Sequence, residues 1–180
     1  MIRSPGYGCA VAGHDRVRLR RIESKDELGP AVVLAREFGD WAAGRIRAEL
    51  GIVVPGEADH SPAVLDEVLD SGGRLYVAEV DGETVGIGGL KLLGETVGEI
   101  KRMFVRPQVR GLGIGRSIVE RLVDDARSLG CATVYLESAV FMHPAHALYR
   151  SVGFVPSEPY PGREFEGAPN DVSVFMRLDL

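Results

Sequence analysis

The chain has 180 residues, 45% hydrophobic and 26% charged, a balance that suits one folded domain and excludes disordered, collagen-like and mucin-like organisation. Its formal charge of -5 argues against a surface built for phosphate backbones, so nucleic acid is not an expected partner, while cationic or amine substrates are electrostatically compatible. Cys9 and Cys131 are too few for a disulfide framework and sit in no CxxC pair, which suits a reducing, cytoplasmic setting, and no stretch is apolar for long enough to make a membrane an expected partner.

Residues 1–15, with Pro5, Gly6, Gly8 and Gly13, read as a flexible lead-in to a single domain over 16–180. Val17 and Leu19 alternate with arginines as in a strand, and Ser24 with Glu27 matches a helix capping box. Leu28, Val32, Ala35 and Phe38 keep helical spacing, and a second helical pattern from about Asp40 to Leu50 stops at Gly51. Ile52 to His60 reads as a loop, and Ser61-Pro62 starts a short helix that ends at Gly72-Gly73.

Arg74 to Val80 and Thr84 to Leu93 are strand-like runs joined by Asp81-Gly82, a hairpin signal. A further strand over about Gly98 to Val105 stops at Pro107, and an amphipathic helix carrying Ile118, Leu122, Val123, Ala126 and Leu129 ends at Gly130. Thr133 to Ser138 is the next strand, Pro144 to Ser151 a helix, Pro156 to Pro161 a loop and Val172 to Leu178 a last strand. Helices, an antiparallel meander and then a βαβαβ order predict an α/β (α+β) fold with a mixed, mostly antiparallel sheet and helices on both faces.

The stretch from Arg110 through Gly111, Leu112, Gly113, Ile114, Gly115 and Arg116 follows a strand and opens a helix. Glycines at alternate positions let backbone approach a ligand, and a helix start offers unpaired N–H groups, which together make an anion site suited to a pyrophosphate. No Gly-Lys-Ser/Thr follows, as a P-loop needs, and the turn comes late, after a meander, unlike a dinucleotide-binding βαβ unit.

Arg110-x-x-Gly113-x-Gly115 resembles the acetyl-CoA signature of the GNAT N-acetyltransferase superfamily. Glu99 to Pro107 resembles that family's fourth strand, and Ala145-x-x-Leu148-Tyr149-x-x-x-Gly153-Phe154 its C-terminal helix and following strand, so the likeness runs from about Arg74 to Leu178. It implies a splayed sheet with the pantetheine arm of coenzyme A between the strand ending at Val105 and the strand beginning near Thr133. Backbone at Met103, Phe104 and Val105 would bond the arm, and the amides of Arg110 to Arg116 the pyrophosphate, with the side chains of Arg106, Arg110 and Arg116 as further phosphate candidates, Arg110 foremost, against solvated loop charges. Many members carry Asn where this chain has Met142, so any side-chain bond from that site is lost.

The resemblance further implies acetyl transfer from acetyl-CoA to a primary amine by direct attack, with Tyr149 as the acid for the departing thiolate, against the alternative of a packed tyrosine bonded to backbone. Glu99 is the candidate base, placed by strand parity on one face with Lys101, Met103 and Val105, and equally able to pair with Lys101 or Arg102. Cys131 reads as a buried inert thiol, His143 and His146 as bordering the acyl end of the tunnel, metal as absent, Phe38 as core and Trp41 as undecided. A small-molecule acceptor is expected, chosen by Ala31 to Ser71 and Pro156 to Asn170; a protein lysine or N-terminus, a non-turnover acetyl-CoA sensor and a homodimer stay open.

Overall fold

Asp81 and Gly82 both adopt positive φ, 51° and 85°, the backbone that a two-residue hairpin needs to match strand twist. They join β2 (Arg74–Val80) to β3 (Glu83–Leu92), and β4 (Val97–Val105) continues the antiparallel meander. β1 (Val17–Ile22) pairs with the outer edge of β2. The computed structural model describes residues 17–51, 62–163 and 172–180. The expected lead-in over 1–15, the Ile52–His60 loop, the Ser61 cap and the later part of the Pro156–Asn170 loop lie outside these residues.

The seven strands run in the order β1-β2-β3-β4-β5-β7-β6, where β5 is Thr133–Ala139, β6 Val155–Pro156 and β7 Ser173–Asp179. Only β4 and β5 pair in parallel; β7 returns antiparallel to β5, so the expected βαβαβ run contains one parallel crossover. β6 is a two-residue strand inside what reads as a proline-rich loop, because Val155 and Pro156 at the sheet edge need little ladder bonding.

The sheet separates two cores. On one face lies α3 (Ile114–Ser128), whose Ile114, Ile118, Val119, Leu122, Val123 and Ala126 are buried at helical spacing. On that face too is α4 (His143–Val152), stopped by Gly153 at φ 109°. On the other face α1 (Gly29–Leu50) and α2 (Pro62–Asp70) cover Ile22, Leu75, Val77 and Ile87. Each fully buried aliphatic side chain of this kind is worth about 1.5–3 kcal/mol.

Two local expectations are corrected. The helical patterns on either side of Gly39 form one helix of 22 residues, because a single glycine costs a helix interior about 1 kcal/mol without ending it, and Gly39 is buried there. Ser24 makes no side-chain cap; a short 3-10 turn at Lys25–Glu27 intervenes, and Glu27 Oε2 accepts from the Glu23 N–H at 3.2 Å, one residue before the Ser24 amide that a capping box would use.

Candidate active site

β4 and β5 pair at Val97↔Thr133, Gly98↔Val134, Glu99↔Tyr135 and Ile100↔Leu136, and no further. Beyond Ile100 the strands part, and a cleft of about 640 Å³ opens between them. Its floor is Met103, Phe104 and Val105; α1 supplies Phe38, Trp41 and Arg45; the glycine turn closes one end.

The parting coincides with a bulge. Ile87 pairs with Phe104 but Gly89 with Lys101, so β4 carries one residue more than β3, and Arg102 adopts φ 58°. The bulge inverts the face assignment. Ile100, Met103 and Val105 pack with α3, whereas Phe104 joins the α1–α2 core. Glu99 and Lys101 therefore face the α1–α2 side, opposite to Met103 and Val105, which overturns the parity expected from uninterrupted alternation.

At the cleft's mouth Gly113 caps α3 with φ 79°, with no side-chain cap and no acidic residue in the first turn. The first helical bond runs from Ser117 N–H to the Gly113 carbonyl, so the amides just before it point outward. A Cβ at Gly111 or Gly113 would meet no atom of the protein, but φ of 86° and 79° would strain it. Gly115 differs: its Cβ would stand 3.3 Å from Leu148 Cδ2, so this glycine brings α3 close to α4. Among the described residues the lining includes Arg45, Arg110 and Arg116 and no carboxylate, a cationic hollow in a chain of net charge -5.

The arginines expected at phosphates are held elsewhere in this structure. Arg110 donates from Nε to the Val105 carbonyl at 3.0 Å and lies 5.6 Å over the Trp41 ring. Arg116 bonds Glu120 and Ser151. Arg106 is bidentate on Glu37, at 2.9 and 2.6 Å, an attraction that holds the Glu37 carboxyl below its usual range and raises Arg106.

Tyr149 is 5% exposed and lines the cleft. Burial alone pushes its phenol well above the ordinary value. Its hydroxyl bonds no described residue, although buried tyrosines normally find a partner, so the backbone-bonded alternative does not hold here. His146 is buried with Nε2 3.2 Å from Ser138 Oγ, and burial, then Arg150 and His143, holds it below its ordinary range. Neither His146 nor exposed His143 lines the cleft; Met142, Pro144 and Ala145 do. Cys131 is buried and its thiol is pushed up by that burial. Among the described residues no cluster of three metal-ligating side chains occurs and no helix is long and apolar enough to cross a membrane.

Glu99 is 1% exposed and does not line the cleft. Its Oε1 accepts a 2.8 Å bond from the Tyr160 hydroxyl, and its Oε2 is 3.5 Å from Lys101 Nζ. Tyr160 was not visible as a site residue in sequence. Phe38 and Trp41 both line the cleft, stacked at 6.1 Å, with Trp41 edge-on to Phe141 at 6.3 Å. The signal for this wall was the helical stripe Leu34, Phe38, Trp41 and Arg45, which runs on past the core.

A splayed mixed sheet, a cationic cleft at the fork and a glycine-capped helix define an acyl-transfer architecture, and comparison with known proteins agrees. The Acetyltransferase (GNAT) family profile matches residues 41–154. The IAA acetyltransferase of Azospirillum brasilense is 36% identical over 132 residues, covering 73% of this chain and 83% of that protein. The uncharacterized N-acetyltransferase YjgM of Escherichia coli K12 is 30% identical over 140 residues, 76% of this chain and 80% of its own. In fold, the PaiA N-acetyltransferase of Thermoplasma acidophilum, solved in complex with coenzyme A, superposes with a TM-score of 0.70 at 18% identity over 91% of this chain and 99% of its own. The chain belongs to the GNAT acetyltransferase family.

Proposed function

We propose that residues 16–180 form one unit that transfers an acetyl group from acetyl-CoA to the primary amine of a small molecule by direct attack in a ternary complex. The observation that carries this reading is Tyr149: a buried tyrosine whose hydroxyl has no described partner, lining a cationic cleft that begins at a helix N-terminus without a side-chain cap. When bound, acetyl-CoA supplies the activated thioester.

The protein's own groups have separable tasks. The amides from Arg110 to Arg116 hold the pyrophosphate, aided by the dipole of α3. Backbone at Met103, Phe104 and Val105 faces the gap left by β5 and takes the pantetheine arm; Arg110, on leaving the Val105 carbonyl for a phosphate, would free that acceptor. Tyr149 Oη holds a proton for the sulfur. Its raised pKa, caused by burial, keeps it protonated at neutral pH. Glu99, which does not line the cleft, takes the proton of the amine through a relaying water; the amine's reference pKa of about 10.4 leaves it charged at pH 7. The α1 aromatic wall excludes water from the fork.

A thiol-release assay with acetyl-CoA against polyamines, amino acids, aminoglycosides, and peptides with free N-termini or lysines tests the reading. Turnover with a small primary amine is expected. Turnover with peptides alone would replace the acceptor class, and acetyl-CoA binding without any turnover would make the chain a sensor.

A further inference from the structure

Tyr160 lies just beyond β6, 61 residues from Glu99 in sequence, and is 4% exposed. Its ring stacks on Tyr135 with centroids 4.6 Å apart and planes at 26°, and meets Phe175 edge-on at 6.3 Å. Tyr135 is the Cα partner of Glu99 across the β4–β5 pairing, one step before the strands part. The stack therefore fixes the phenol over the carboxylate nearest the fork, and the 2.8 Å bond is directed to one oxygen, Oε1, while Lys101 approaches the other.

We infer that Tyr160 is the positioning residue of Glu99: it aims the carboxylate and keeps it ionised, so that the base is ready at the pH at which the amine arrives. The inference rests on the proposed base role of Glu99. A hydroxyl donating to a carboxylate favours the charged form, and a buried carboxylate without such donors would hold its proton instead. Among the described residues, the other charged or titratable groups on this side include Lys101 and Arg102 on β4, Lys91 on β3 committed to Glu67 of α2, Glu137 on β5 bonded by Ser173, Arg177 on β7 paired with Asp179, and Arg163 over the Phe175 ring. Tyr160 itself lies in the Pro156 to Asn170 stretch from which acceptor recognition is expected, so its placement ties the base to the acceptor side of the site.

The test is the pH dependence of kcat/KM for one amine acceptor in wild type, Tyr160→Phe, Glu99→Gln and the double variant, each checked by thermal melt. The same amine is used throughout, so a displacement between proteins belongs to the protein. Tyr160→Phe keeps both ring contacts and is expected to move the rising limb about one pH unit upward, with activity recovered at high pH. The double variant should match Glu99→Gln. Tyr135→Leu, which loosens the stack but keeps the phenol, should shift the limb in the same direction by less. If Glu99→Gln reproduces the wild-type profile, the base reading itself falls. If Glu99→Gln changes the profile but Tyr160→Phe overlays wild type, or is lower by one factor at every pH, the positioning role is overturned and Tyr160 only packs.

Discussion

Arg106 grips Glu37 through Nε and Nη2 together, at 2.9 and 2.6 Å, and so fastens the end of β4 to the middle of α1. The two ends of that link flank the cleft. Phe38 follows Glu37 on the helix, and Arg106 opens the turn that leads to Arg110, so the pair sets how far the aromatic wall stands from the glycine turn.

Glu37→Gln should therefore weaken acetyl-CoA binding without touching the chemistry. Both side chains are about a third exposed, so solvent screening limits the stability cost to about 1 kcal/mol or less. Glu37 is held below its ordinary value, chiefly by its hydrogen bond to Arg106. Its contribution is present above the unfolded carboxyl's range near 4.5 and is lost as pH falls through the lower folded value. Melting curves of wild type and variant between pH 7 and 3 should converge at the acid end; a gap that stays constant there would assign the stability difference to packing.

Gly113 and Gly115 should respond to valine in different ways. At Gly113 the protein leaves room but the left-handed backbone does not suit a branched residue, and the side chain would enter the mouth of the cleft. Calorimetry on folded Gly113→Val should show acetyl-CoA binding lost. Gly115→Val should instead press on Leu148 and lower the melting temperature, since overpacking costs about 1–3 kcal/mol. Unchanged affinity in Gly113→Val would move the phosphate site elsewhere.

Tyr149→Phe removes a hydroxyl that no described residue uses, so the melt should be unchanged. Single-turnover transfer at saturating acetyl-CoA should slow by about 10²–10⁴-fold, the usual effect of losing a general acid. Wild-type rates in a normally folded variant would return Tyr149 to the core.

What was legible in sequence was what neighbours along the chain decide. The Asp81-Gly82 hairpin, the glycine turn into α3 and the stop of α4 at Gly153 all depend on backbone freedom at one or two residues, and sequence displays that directly. The face of Glu99 was not legible. It depends on an extra residue in β4 relative to β3, and the register between two strands is a property of both. The Tyr160–Glu99 bond and the Arg106–Glu37 pair join residues 61 and 69 positions apart, and neither leaves a periodic trace. The continuity of α1 was missed for another reason: Gly39 carries a helix-ending propensity that burial on the sheet outweighs.

Because β4 and β5 are joined over only four residue pairs, the sheet behaves as two leaves on a short seam, β1 to β4 in one and β5 to β7 in the other. Past the seam, β4 presents a strand edge within the molecule. Edges of this kind elsewhere invite a foreign strand, and proteins blunt them with charge or cover. Here the aromatic side of α1, Phe38 and Trp41, lines the space beside that edge. Under the proposed binding mode, a ligand arm with its own amides would take the place of a strand beside β4, and its affinity would be coupled to the angle between the leaves. Substitutions that draw the leaves together, even far from the cleft, will tighten the fold at the expense of the space the arm requires.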